Sequence, residues 1–189
     1  MLFSLLKSDI LSKALHCYES DSRSAIIKTL LTDGTMAMVY YRLMQWSRRH
    51  KLVPLEMIFN KLNVVFCNCI IGRGTEFGPG FVLVHATGVV INGMVRGGSN
   101  VHIYHQVTVG AATKDVPVLG NDVLIAAGAK VLGAIRIGDG VHIGPNAVVV
   151  HDLPPNVTAV GNPARIVRTH SQEAPGESID ELPSDGASV

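Results

Sequence analysis

Ile71-Gly-Arg-Gly-Thr75-Glu-Phe77-Gly-Pro-Gly-Phe81-Val-Leu83 opens a stretch in which the same chemistry returns every six residues. Taking one residue in six from Ile71 gives Phe77, Leu83, Val89, Val95, Val101, Val107, Thr113, Leu119, Ile125, Val131, Ile137, Ile143 and Val149, and only Thr113 is not apolar. Four residues behind each runs a smaller set, from Thr75, Phe81 and Thr87 through Ala129 and Ala147 to Leu153. Read this way, the frame is unbroken from end to end. A helix would repeat every ~3.6 residues and a half-buried strand every ~2, and neither fits. A six-residue period with Gly72, Gly78, Gly120, Gly138 and Gly144 in the second place predicts a hexapeptide β-helix.

The implied fold class is mainly β. Each hexapeptide makes one short strand and a turn, and three make a triangular coil whose first-place residues point inward. Gly is expected where φ must be positive. Successive coils pair their backbones at about 4.8 Å. Such coils resemble those of left-handed parallel β-helices, an exception to the usual right-handed crossover. A prism of this kind is solid, so chemistry is expected on its outside or in grooves between neighbouring prisms. Three prisms side by side would make three such grooves, which predicts a homotrimer.

Residues 1–63 carry no hexapeptide and read as an N-terminal α-helical region. Leu2, Leu5, Leu6, Ile10, Leu11 and Leu15 share one helical face. Ser24 is the expected N-cap of a helix over 25–31, and Thr32-Asp33-Gly34-Thr35 breaks the chain. A third helix over 36–50 shows a Met36, Val39, Tyr40, Leu43, Met44 stripe, with Arg48, Arg49 and His50 near its C-terminal end. Pro54 suits the first turn of a fourth helix that runs to about Asn63. These helices are expected to cover the open edge of the first coil. Residues 64–168 are expected to form the β-helix, and Thr113-Lys-Asp-Val-Pro-Val118 breaks its composition and reads as a loop or irregular strand. Residues 169–189 hold five acidic residues and no Lys or Arg, which predicts a disordered acidic tail.

A net charge of +1 and an aromatic content of 5% give no case for nucleic acid. No apolar run is long enough for a membrane span, and the early Asp9 without a cationic stretch before it argues against a signal peptide. Cys17, Cys67 and Cys69 make no paired framework, which fits neutral thiols in a cytoplasmic protein.

Chemistry centres on His85, in Leu83-Val-His-Ala-Thr-Gly88, at an outward place near a corner. A neutral imidazole can take a proton from a hydroxyl and return it to a leaving thiolate. Here the chain resembles the serine acetyltransferase family of hexapeptide acyltransferases. The matching words are His85-Ala-Thr-Gly-Val-Val-Ile, Val107-Thr-Val-Gly110, Ile125-Ala-Ala-Gly-Ala-Lys-Val-Leu-Gly133, Ile137-Gly-Asp-Gly140 and Gly161-Asn-Pro-Ala-Arg-Ile-Val167. The resemblance implies acetyl-CoA as co-substrate, no permanent cofactor, a trimer with a dimer of trimers as the larger alternative, and His85 as general base. It also implies that CoA lies along the C-terminal coils beside Ala111, Ala127 and Pro145, with Lys130 and Arg165 near its phosphates.

The chain departs from the family at three points. The family has Asp before the catalytic His, where this chain has Val84, and an orienting Asp at the opening of the coils, where it has Ile70. An Arg-His pair that holds the serine carboxylate is replaced by Asp115-Val116 before Pro117. A backbone carbonyl is therefore the expected partner of His85, and a sugar hydroxyl competes with serine as acceptor. His102 and Tyr104 flank Ile103, read as one coil after His85, and are expected to approach the site. His105 is as readily structural, and His142 and His151 read as surface residues. A CoA-binding scaffold without transfer is the alternative reading. A zinc-dependent carbonic anhydrase would need three His ligands across a groove, and His85, His102 and His105 do not match that spacing.

Overall fold

The computed structural model describes residues 2–111 and 115–170; the expected acidic tail lies almost entirely outside the described residues, as do Thr113 and Lys114 of the expected loop. Four helices come first: α1 (Leu2–Tyr18), α2 (Arg23–Leu31), α3 (Thr35–Arg49) and α4 (Val53–Cys67). The coils follow. The first holds β1 (Ile70–Ile71), β2 (Glu76–Phe77) and β3 (Val82–Leu83), and the second β4 (Val90–Ile91), β5 (Arg96–Gly97) and β6 (His102–Ile103). The third holds β7 (Thr108–Gly110), β8 (Val118–Leu119) and β9 (Leu124–Ile125), and the fourth β10 (Lys130–Leu132), β11 (Arg136–Ile137) and β12 (His142–Ile143). After β13 (Val148–Val149) and β14 (Val157–Val160), β15 (Arg165–Thr169) turns back antiparallel on β14.

Three parallel faces result. Face A is β1-β4-β7-β10-β13, face B is β2-β5-β8-β11, and face C is β3-β6-β9-β12-β14 with β15 at its end. Ile71, Leu83, Ile91, Ile103, Ile125, Val131 and Ile143 are fully or almost fully buried inside.

The six-residue frame does break, twice. Leu83 pairs with Ile103 and Ile71 with Ile91, so the first coil is two residues longer than three hexapeptides. Gly97 pairs with Leu119, which adds four more in the next. Together the insertions make one whole hexapeptide, so the pattern returns to step at Leu119. The strand-centre residues between are Ile91, Gly97, Ile103 and Val109, yet Val89, Val95, Val101 and Val107 are fully buried too. Positions two apart both point inward, so a slip of two leaves the apolar rhythm intact.

The second-place glycines have a different cause from the one expected. None of them has positive φ. A Cβ on Gly72 would lie 2.2 Å from the backbone nitrogen of Gly93, and one on Gly138 2.5 Å from that of Pro155. Close approach of the next coil excludes a side chain. Positive φ falls instead at the corners, where Gly80, Asn100, Asp122, Gly140 and Asn156 form one column and Gly88, Gln106, Gly128 and Asn146 another.

The helices differ in detail from the sequence reading. Ser22 caps α2 by accepting the Ala25 N–H, two residues before the expected Ser24. In α3 the buried stripe is Ala37, Met38, Tyr41, Arg42, Met44 and Gln45, turned from the expected one so that Met36 is exposed. In α1 Asp9, Lys13 and Ala14 are buried while Phe3 and Leu15 face out. α4 runs one turn further than expected, to Cys67, and stops where Asn68 adopts φ 47°. One cause explains the turned faces: polar groups are needed inward to satisfy the first coil's unpaired backbone. Tyr41 OH accepts the Phe77 N–H, Arg42 donates to the Phe77 and Gly78 carbonyls, Asn60 donates to Ile71 O, and Asp9 accepts the Phe81 N–H. The helices do cover the open edge, through side chains rather than apolar packing alone.

Candidate active site

The two-residue insertion in the first coil falls at His85. Residue for residue, His85 heads a column at the corner from face C to face A: His105, Ala127 and Pro145 stand below it, two residues after Ile103, Ile125 and Ile143 as His85 is after Leu83. In the second coil Gln106 follows His105 at once with positive φ, whereas Ala86 and Thr87 separate His85 from Gly88. The corner is therefore widest beside His85. Ala86 is fully buried and its carbonyl accepts the Val89 N–H, Thr87 O accepts the Gln106 N–H, and Gly88 N donates to Asn68 O. His85 itself is exposed, and its ring lies edge-on to His105 with centroids 5.8 Å apart.

The partner of His85 is a carboxylate that the sequence reading did not find. Asp33 Oδ2 lies 3.3 Å from His85 Nδ1. A carboxylate only accepts, so Nδ1 carries a proton, and in the neutral ring Nε2 then keeps its lone pair. Asp33 comes from the link between α2 and α3, the Thr32-Asp33-Gly34-Thr35 break already visible in the sequence. Neither family position could serve, since Val84 is buried and Ile70 faces out from face A.

The residues expected along CoA separate into two groups. Ala127 and Pro145 share the His85 column, roughly 10 and 14 Å below it at the usual strand spacing. Lys130 sits one strand to the side on face A, its Nζ donating to Gln106 O at 2.6 Å. Arg165 is exposed at the start of β15, next to Ala164, whose N–H bonds Val148 O near the column's foot. Ala111 stands apart, beyond the far end of β7, with three undescribed residues after it.

His102 and Tyr104 do not approach the site. Ile103 stands below Leu83, not below His85, so both side chains leave from face C toward α1. Ser12 Oγ lies 3.0 Å from His102 Nε2, His102 Nδ1 3.2 Å from His16 Nδ1, and His16 Nε2 2.9 Å from Tyr104 OH. Burial, with the adjacent His16 adding to it, pushes the His102 imidazole down to about 4. Burial also lowers His16 and raises the Tyr104 phenol. His142 is half-buried, 5.3 Å from the His170 ring, whereas His151 is exposed. The thiols of Cys17, Cys67 and Cys69 are free, and burial raises each, that of Cys69 to about 12.

A family profile described as bacterial transferase hexapeptide (six repeats) matches residues 117–151. The serine acetyltransferase of Helicobacter pylori is 40% identical over 142 residues, covering 73% of this chain and 83% of that protein. The chain belongs to the serine acetyltransferase family. Solved structures agree. The serine acetyltransferase of Vibrio cholerae superposes with a TM-score of 0.82 at 31% identity, covering 90% of this chain and 67% of that one. That of Brucella abortus, solved in complex with coenzyme A, gives 0.79 at 30% identity and covers 88% and 68%. This member of the serine acetyltransferase family is thus a left-handed β-helix under a helical cap, with the His-Ala-Thr-Gly word at the corner from face C to face A. Among the described residues no helix is long and apolar enough to cross a membrane.

Proposed function

We propose that the protein transfers acetyl from acetyl-CoA to a hydroxyl, with His85 as general base. The observation that carries this reading is the corner column: an exposed imidazole held at Nδ1, with no partner for Nε2 among the described residues, above Ala127 and Pro145, whose small or compact side chains leave room for an extended thiol arm. The hydroxyl oxygen attacks the thioester carbonyl while its proton passes to Nε2. The C–S bond then breaks and the proton goes to the departing thiolate. CoA would run down the column, with Lys130 and Arg165 toward its phosphates and Ala111 reached only across face A.

Kinship with the serine acetyltransferases of H. pylori and V. cholerae supports serine as acceptor. A specific observation favours a sugar hydroxyl as the second reading. The charged partner of His85 is the Asp33 carboxylate, so the described corner offers a serine carboxylate repulsion, and on the separate link between β7 and β8 it is Asp115, not a cation, that precedes Pro117.

A trimer fits this site, because a groove needs a second wall. Exposed Val65, Phe66, Ile70 and Val90 form an apolar patch at the top of face A, beside the His85 corner, where a neighbouring copy would close it.

The test is release of CoA thiol with L-serine and with a panel of mono- and oligosaccharides, for the natural chain and for His85→Ala. Loss of roughly 100-fold or more in the variant is expected. Serine turnover that depends on His85 would remove the sugar reading. Tight CoA binding without transfer to any acceptor would leave a scaffold.

A further inference from the structure

We propose that Asp33 is the positioning carboxylate of His85, so that the base is complete only when the helical cap is docked on the first coil. This rests on the reading of His85 as base. The contact spans 52 positions of sequence and joins two architectural parts. Its geometry is fixed at several points. Gly34 N donates to Asp33 Oδ1 at 2.7 Å, which commits one carboxylate oxygen and turns the other toward the ring. Thr32 Oγ1 and Thr35 Oγ1 both donate to Thr29 O, at 2.8 and 2.6 Å, pinning the link on either side of Asp33. The buried Lys13 of α1 donates to the Asp33 carbonyl from beneath.

Gly34 shows how closely this link is seated. It has φ 82°, and a Cβ on it would lie 2.3 Å from Leu83 O, two residues before His85. The cap therefore meets the strand that carries the base through bare backbone.

The chemical role follows from what a carboxylate can do. It accepts the Nδ1–H, which holds the ring in the tautomer with a free Nε2 and sets its rotation. It also steadies the imidazolium formed when Nε2 takes the hydroxyl proton. The proton then leaves to the CoA sulfur, and Asp33 is never protonated. Because both side chains are about half exposed, at 53% and 55%, water shares in this stabilisation and the effect falls short of that of a buried dyad.

The experiment compares the full-length protein with Asp33→Ala and Asp33→Glu. Transfer is measured as acetyl-CoA thiol release with whichever of L-serine or the saccharides the natural chain accepts. His85 is also followed by 15N NMR of its ring, assigned with His85→Gln. Asp33→Ala should lower kcat roughly 10- to 100-fold with KM for acetyl-CoA within about twofold, and should shift the His85 ring from the Nδ1–H toward the Nε2–H tautomer. Asp33→Glu should recover part of both. An unchanged tautomer in Asp33→Ala, or an unchanged kcat, overturns the proposal. The NMR arm decides it even with no acceptor in hand, whereas persistence of transfer in His85→Ala would sink the base reading alone.

Discussion

Arg42 grips Asp9 with two nitrogens, Nε to Oδ2 at 2.6 Å and Nη2 to Oδ1 at 2.9 Å, and both side chains are wholly buried. The pair is not isolated. Arg42 also donates to Gln45 Oε1 and to the Phe77 and Gly78 carbonyls, while Asp9 Oδ1 accepts the Phe81 N–H. One ion pair thus ties α1 and α3 to the first coil. Removing one partner leaves the other charge buried and several backbone groups unmet. Arg42→Met is expected to lower stability by about 3–5 kcal/mol, read from urea unfolding. Adding Asp9→Leu should return part of that loss, and a single variant as stable as the natural chain would contradict the account.

The face C seam makes stability depend on pH. His102 is held at about 4, below the ordinary histidine value, chiefly by burial, and His16 is lowered by burial as well. Lowered values mean that the unfolded chain binds more protons across that window. Stability is then fully present above the unfolded value and is lost as pH falls from roughly 6.5 toward 4. From His102 alone the loss is on the order of 2 kcal/mol. Urea midpoints at pH 7.5 and 5.0 measure it. His102→Gln should flatten the difference, and an equally steep acid loss in that variant would assign it elsewhere.

Glycines at the coil-to-coil contacts should resist even alanine. Gly72→Ala puts a methyl against the Gly93 backbone, and Gly138→Ala against that of Pro155. Each is expected to cost about 1–3 kcal/mol in thermal or urea unfolding. Gly110, whose Cβ would meet, among the described residues, Asn92 Cβ alone at 4.0 Å, is the control, and Gly110→Ala should change little. Equal effects at all three sites would argue against close approach as the cause.

The apolar patch on face A should govern assembly. Phe66→Asp with Ile70→Asp is expected to lower the mass seen by light scattering to that of one chain and to reduce transfer at least tenfold. Helical content by circular dichroism should stay unchanged. A natural chain that is already monomeric and fully active would remove the need for a second wall.

Much of this was legible in the residues, and the rest was hidden for identifiable reasons. The strands are two to five residues long, too short for ordinary pattern reading, but their repetition makes the period unmistakable. The two insertions were invisible because Val89 and Ile91 are both inward residues, so either continues the rhythm. That same slip misplaced His105 and Ile103 relative to His85 and drew attention to His102 and Tyr104. The Leu face of α1 misled because burial there follows the hydrogen-bonding needs of Phe77, Gly78 and Phe81 in a distant segment. Asp33 could be read as a turn residue, but nothing local announces that the turn lands on the base.

The return of β15 has a consequence for how copies of this chain can meet. A solenoid of parallel coils presents a ready template at each end, and identical units could in principle add to it without limit. Here the N-terminal helices sit over the first rung, and an antiparallel strand takes the hydrogen-bonding edge of β14. An incoming coil would find no parallel neighbour to copy at that edge. Parallel addition to face C is thereby blocked, which favours contacts between copies on the flanks, where the His85 corner lies.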